Sequence, residues 1–330
     1  MVSDDELEGF RRDRYFARSW ALLTRDRGWV KPVLLMTVAL LVPIVGALGV
    51  LGYALEWARL TAWNVNAAPK QRGVDVGACI KSGWRGFVVM LVWGIVSGVV
   101  IAIAEVLPLI GVLVSLIWVF ASFVYTVVMM VAALRATIYQ KIGAGLRVRT
   151  IWQMVRHDPM GLLRVTGLML AGGAVMGIAT TLVGMVCLAS AVPHLVWFMS
   201  YVYEFGSALS GDMGVLLVVQ LIASLLSSLG PALVVLLLVD FFLATVLTLV
   251  GHTAVGLWMR QFDVPSWGRD EDPLPTPVSD PRDRSGAEEM PQLASSPVPA
   301  DQDAEKNDEP QGSPADPGEA DDGPVIDESR

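Results

Sequence analysis

The chain has 330 residues, of which 54% are hydrophobic and only 17% charged, with a mean hydropathy of +0.54. About a quarter of the residues of a soluble domain are charged, so this balance points to lipid and excludes an ordinary soluble enzyme. Charge is also segregated. Residues 269–330 hold 18 Asp and Glu against 5 Lys and Arg, a net of −13, while residues 1–268 carry a net of +5. The two cysteines, Cys79 and Cys187, lie far apart, which excludes a disulfide-stapled secreted domain. No nucleic-acid partner is expected.

Residues 1–30 are acidic and then Arg-rich, with Phe16, Trp20, Leu23 and Trp29 among the charges. They read as an amphipathic segment rather than a cleavable signal peptide. The next block, 31–56, carries no charge from Pro32 to Leu55 and is broken by Pro43-Ile44-Val45-Gly46. Two half-helices of about 12 residues reach only ~18 Å at 1.5 Å per residue, so a re-entrant hairpin is expected here. A true fifth span, with the N-terminus outside, is the competing reading. Further along, 86–105, 108–134, 162–189 and 231–257 each meet the roughly 20 apolar residues a spanning helix needs. The apolar run 214–228 is short and reads either as a crossing or as a half-helix ended by Gly230-Pro231. Residues 263–330 are rich in Pro, Ser, Gly, Asp and Glu and cannot bury enough apolar surface to offset their ordering entropy, so a disordered acidic tail is expected.

Lys and Arg cluster before 32, between 59 and 85 and between 135 and 164, and none occurs between Arg164 and Arg260. Placing each basic segment in the cytoplasm makes two outward hairpins of the four spans, and both ends of 31–56 then lie on the inner side. Amphipathic segments at 76–85 and 146–155 precede the paired spans. In the second, Val148, Ile151, Trp152 and Val155 share a face, and Arg147, Arg149 and Arg156 lie elsewhere, as an interfacial helix on an anionic leaflet requires. A shift of 79 residues superimposes Gly94 and Gly98 on Gly173 and Gly177, and Arg85 on Arg164. The expected fold is an all-α integral membrane protein, a duplicated helical bundle with four to six spans, interfacial helices and a cytoplasmic tail.

Candidate site residues are few. Asp240 sits inside a strongly apolar helix, where an unpaired charge costs about 2.5–3.5 kcal/mol. It is a candidate for ion binding, proton relay or packing, and His252, about 18 Å further along the same helix, is the second intramembrane polar residue. The GxxxG pairs, Gly94/Gly98 and Gly173/Gly177, are expected to pack helices within the bundle or in a homo-oligomer. Pro43, Gly46, Gly230 and Pro231 are expected to break helices. His157-Asp158-Pro159 reads as the end of one helix and the start of the next. Ser210-Gly211 with Gly251-His252 lacks the arrangement of an intramembrane serine protease. His157, His194 and His252 have no metal-ligand spacing, so no metal or cofactor is expected.

The pattern Trp20 … Pro43-Ile44-Val45-Gly46 … Gly52-Tyr53-Ala54-Leu55 … Arg59, followed by Gly83-Trp84-Arg85-Gly86 leading into a span, resembles a bacterial multi-pass membrane family known as a domain of unknown function, family 4013. The similarity covers roughly residues 15–262, and Ala68-Pro69 stands where that family has Leu-Pro. The resemblance implies a multi-pass protein of a bacterial inner membrane and supplies no catalytic or binding residues.

The expected function is therefore that of a non-enzymatic membrane scaffold or interaction component, binding anionic inner-leaflet lipid through Arg147, Arg149 and Arg156, with a protein partner or a second copy of the chain as a further candidate. The alternative is a small transporter or exporter component using Asp240. The acidic tail is expected to dock on the basic loops in a salt-sensitive manner.

Overall fold

The computed structural model describes residues 3–106, 108–205 and 211–267. The acidic tail, with its expected disorder and docking, and Ser210 fall outside them. Among the described residues there is no strand, and every long element is a helix.

The N-terminal region forms a short turn of helix, α1 (Asp4–Leu7), and then α2 (Tyr15–Leu23). The uncharged block that follows is split into α3 (Val30–Ala39) and α4 (Val45–Ala62). Between them Val45 donates its backbone N–H to Pro43 O at 2.7 Å, a γ-turn with Ile44 at φ 65° and ψ −65°. A β-branched residue is strained there. The two arms pass so closely that a Cβ on Gly46 would enter the Ala39 carbonyl. Both ends of this hairpin lie together, because Gln71, beyond α4, donates to Asp26, and Arg25 Nη1 reaches Asn66 O at 2.8 Å.

Two helical hairpins follow. In the first, α5 (Val76–Glu105) is capped by Asp75, whose Oδ1 accepts the Ala78 N–H at 3.0 Å, and α6 (Pro108–Ile138) runs back. The amphipathic stretch 76–85 is thus not a separate helix but the first turns of α5. The short α7 (Ile142–Gly145) and the amphipathic α8 (Val148–His157) lead to the second hairpin, α9 (Pro159–Phe205) and α10 (Gly211–Met259). Four helical segments are long and apolar enough to cross a membrane: Val76–Glu105, Val114–Ile138, Pro159–Glu204 and Leu229–Phe262.

The expected break at Gly230-Pro231 is absent. Pro231 lies inside α10 and Pro193 inside α9, and a Cβ on Gly230 would meet nothing within 4 Å. Each proline removes a single backbone donor. In an apolar medium a continued helix satisfies the remaining backbone groups, which a broken one would leave exposed. The runs 162–189 and 214–228 are therefore parts of two continuous helices of 47 and 49 residues, each ~70 Å long.

The packed core gathers at the basic end of the bundle. Leu22 and Leu23 of α2, Leu55 and Ala58 of α4, Leu134 of α6, Met154 of α8, Leu162 of α9 and Trp258 of α10 are all buried there. The far halves of the hairpins expose Val99, Ile103, Val112, Ile117, Val175, Ile178 and Leu233, the surface expected of lipid-facing helices. The core is closed by buried polar groups. Asp158 sits in the His157-Asp158-Pro159 junction, accepting the Gly161 N–H at 2.9 Å as the cap of α9 and the Trp258 indole N–H at 3.1 Å across the bundle. Burial and the nearby Asp158 carboxylate raise the Tyr15 phenol above its ordinary range. Replacing Asp158 by Ala should lower stability by about 2 kcal/mol, since a cap and a buried indole partner are lost together. Asp158→Asn should recover most of it, as read by thermal unfolding in detergent.

The ordered chain also runs further than 262. Val264 is buried, and Trp267 stacks on Tyr139 with ring centroids 5.6 Å apart. The buried Arg135 guanidinium lies 5.1 Å from the Tyr139 ring and 5.0 Å from the Trp267 ring.

Candidate functional site

Asp240 is half-buried and accepts a hydrogen bond from the Thr180 hydroxyl, tying α10 to α9. Twenty residues separate it from Arg260, as twenty separate Glu105 from Arg85. Both carboxylates therefore stand ~30 Å along their helices from the basic end, close to one hydrocarbon thickness. Asp240 lies within the apolar segment Leu229–Phe262. His252 is buried, and its Nδ1 lies 2.8 Å from the Thr248 carbonyl of its own helix. The structure does not bring it to Asp240.

The GxxxG glycines are not the ones over which this chain's helices close. A Cβ on Gly94, Gly98, Gly173 or Gly177 would meet nothing within 4 Å, so intramolecular packing is not their role. Small-residue spacing marks a helix face that could accept a neighbour but does not say whether one is there. The close approach is between α4 and α5. A Cβ on Gly52 would enter the Cys79 carbonyl, and one on Gly83 would enter the Leu48 carbonyl. Both glycines belong to the blocks that carry the family resemblance. Their separation of 31 residues shows no helical periodicity, so only the fold reveals the pair.

Beside this crossing lies a cleft of about 460 Å³ between α4, the 63–75 connection and the start of α5, lined by charged and apolar side chains. Its walls are held by internal hydrogen bonds. The Tyr53 hydroxyl donates to Lys70 O at 2.9 Å, and the Trp57 indole N–H donates to Ala67 O at 2.9 Å. Glu56 is engaged twice, by Arg59 Nη2 at 2.8 Å and by the Ser82 hydroxyl. Arg59 also lies over the Trp63 ring at 5.3 Å. Arg85, at the rim, donates to the Gln140 side-chain oxygen. Sequence reading located these residues only as loop charges and a motif; pairing of Glu56 with Ser82 across 26 positions was not visible.

A second feature of the basic end is its aromatic rim. On α8, Ile151 and Met154 are buried, whereas Val148 and Trp152 are each 60% exposed. The expected single apolar face is thus divided. Its inner part holds the bundle, and Val148 and Trp152 stand outward beside the exposed Arg149 and Arg156, with Arg147 also exposed just before the helix. Trp84 and Phe87 of α5 are likewise exposed with rings 5.9 Å apart. Phe16 and Trp20 of α2 stack at 6.1 Å and border an apolar groove of about 340 Å³ against Leu168, Val175, Leu243 and Leu247. Among the described residues no group of three or more His, Cys, Asp and Glu could hold a metal ion.

Residues 35–188 match the model of a family described as a protein of unknown function (DUF4013). The match bears out the resemblance over a narrower stretch than 15–262, and it contains every residue of the cleft. No curated protein and no solved structure matches the chain.

Proposed function

We propose that the chain is a non-enzymatic membrane protein whose basic end serves as a lipid-binding platform and scaffold, anchored by the apolar hairpins. The observation that carries this reading is α8: Ile151 and Met154 fix it to the core while Val148 and Trp152 face outward, flanked by Arg149 and Arg156. Such a side seats its indole at the level of lipid headgroups and its guanidiniums against their phosphates. Phe16, Trp20, Trp84 and Phe87 extend the same belt. The concentration of Lys and Arg at this end supports a position on the cytoplasmic side of a bacterial inner membrane, against its anionic leaflet.

In membranes of mixed phosphatidylcholine and phosphatidylglycerol, spin-labelled lipids should report a preference of the wild-type chain for phosphatidylglycerol. Each arginine removed from Arg147, Arg149 and Arg156 by change to Gln should lower that preference by up to about fivefold, the equivalent of ~1 kcal/mol per charge. Equal association of the two lipids with the wild-type chain would remove the reading.

A second reading, a small transporter component, draws on the Thr180–Asp240 contact between two long helices. Substrate flux in proteoliposomes that Asp240→Asn abolishes would favour it.

A further inference from the structure

The cleft between α4 and α5 differs from the α8 rim in being a concave site with a fixed wall, and its chemistry is one-sided. Of its two carboxylates, Glu56 is held by Arg59 and Ser82, and Asp75 accepts the Ala78 N–H with Oδ1. Its neutral donors, the Tyr53 hydroxyl and the Trp57 indole, are bonded to backbone carbonyls of the 63–75 connection. Against the two carboxylates stand Arg59, Lys70, Lys81 and Arg85, so the lining carries a net positive charge. Lys70, Lys81 and Arg85 line the cleft and make no ion pair among the described residues. The Arg59 Nε is buried there without a hydrogen-bond partner. A preformed concavity of this size with charged donors in surplus over carboxylates selects an anion. One guanidinium and two ammonium groups lining one cleft favour a tetrahedral oxyanion, whose several oxygens can accept from more than one donor.

The geometry points to a phosphate-binding site in this cleft, taking the phosphate ester of a small ligand or of a lipid headgroup. Lys81 and Lys70 are exposed at its mouth, so the anion enters without unfolding the wall. The Gly52–Gly83 contact fixes the spacing of α4 and α5 and hence of the cations. The Trp57–Ala67 and Tyr53–Lys70 bonds fix the connection that carries Lys70. The site does not depend on the α8 rim, so either can fail alone.

The test uses the full chain in phosphatidylcholine nanodiscs at constant ionic strength, with two arms. One titrates inorganic phosphate against chloride. The other replaces a third of the phosphatidylcholine by phosphatidic acid. Thermal unfolding reads both, because a ligand that binds only the folded state raises the midpoint. The midpoint should rise in at least one arm, and the arm that responds identifies a soluble or a lipid source. Lys81→Gln with Lys70→Gln, both at exposed positions, should weaken phosphate by about tenfold or more or abolish the shift on phosphatidic acid. The Arg149→Gln/Arg156→Gln change on α8 should leave the shift in place. No shift in either arm overturns the site. So does a shift that the Lys70/Lys81 variant retains in full, or one that only the α8 variant loses.

Discussion

Adding a single methyl group at Gly52 is expected to dismantle the bundle. Alanine is the best helix former and should stabilise an exposed helical glycine position by about 0.8–1 kcal/mol. At Gly52 the new Cβ would instead enter the Cys79 carbonyl and crowd the Gly83 amide, and at Gly83 it would enter the Leu48 carbonyl. Both obstacles are backbone, so neither can rotate away; α4 and α5 must separate. Separation is expensive because α4 is the central element, with Gly46, Val50, Ala54, Leu55, Trp57, Ala58, Thr61 and Ala62 all buried. Where lipid surrounds helices, their association rests on such close packing rather than on hydrophobic burial. Overpacking of this kind costs 1–3 kcal/mol in ordinary cores and more where nothing can yield. We expect Gly52→Ala and Gly83→Ala each to lower stability by at least about 3 kcal/mol, seen as a fall in the detergent unfolding midpoint and loss of the monodisperse species. The same change at Gly94, Gly98, Gly173 and Gly177, where a Cβ meets open space, should leave the midpoint unchanged or slightly raised. A stable Gly52→Ala chain would mean that the α4–α5 crossing is misplaced. A monomer formed on substitution of the GxxxG glycines would instead assign them to an oligomer.

The contrast between those two sets of glycines marks what the sequence made legible. Hydropathy and the positions of Lys and Arg gave the helical class, the basic ends and the turn at Pro43-Gly46, because each is written in a run of neighbouring residues. The His157-Asp158-Pro159 junction was legible for the same reason. Contacts between distant segments were not. Nothing near Gly52 indicates Gly83 as its partner, and nothing near Glu56 indicates Ser82, so the cleft emerged only with the fold. Gly230-Pro231 misled in the other direction. The pair is a strong breaker in water, yet an apolar helix continues through it since no competing partner for the backbone is at hand. Asp240 was legible as a charge inside an apolar helix, but its Thr180 partner on α9 was not, because sixty residues separate the two. Trp267 was assigned to the tail by composition, although its ring belongs to the buried Arg135 site.

Arg260 is the other position with a large expected effect. Its guanidinium is buried and joins three separate stretches of chain. Nε donates to Thr61 O at 2.7 Å, at the end of α4; Nη1 donates to Leu7 O at 2.6 Å and Gly9 O at 3.3 Å; Nη2 donates to Asn66 Oδ1 at 2.7 Å. Arg18 shares part of this load, reaching Gly9 O at 3.0 Å and Leu7 O at 3.4 Å. Arg260→Met keeps the volume and removes every donor. The buried acceptors then lose partners at about 1–3 kcal/mol each where no water replaces them, and a total loss of about 3 kcal/mol is expected, with Arg18 limiting it. The local consequence distinguishes this from general destabilisation. Residues 3–14 are held against the bundle through Leu7 and Gly9, so their release should speed tryptic cleavage after Arg11, Arg12 and Arg14 well before the hairpins unfold. Arg260→Lys should recover only part, because one ammonium cannot span carbonyls that a planar fork reaches together. If Arg260→Met melts with the wild type and its N-terminus stays protected, the other contacts of residues 3–14, Arg18, Asn64 and Arg164 among them, secure that segment and the three-way junction has no energetic role.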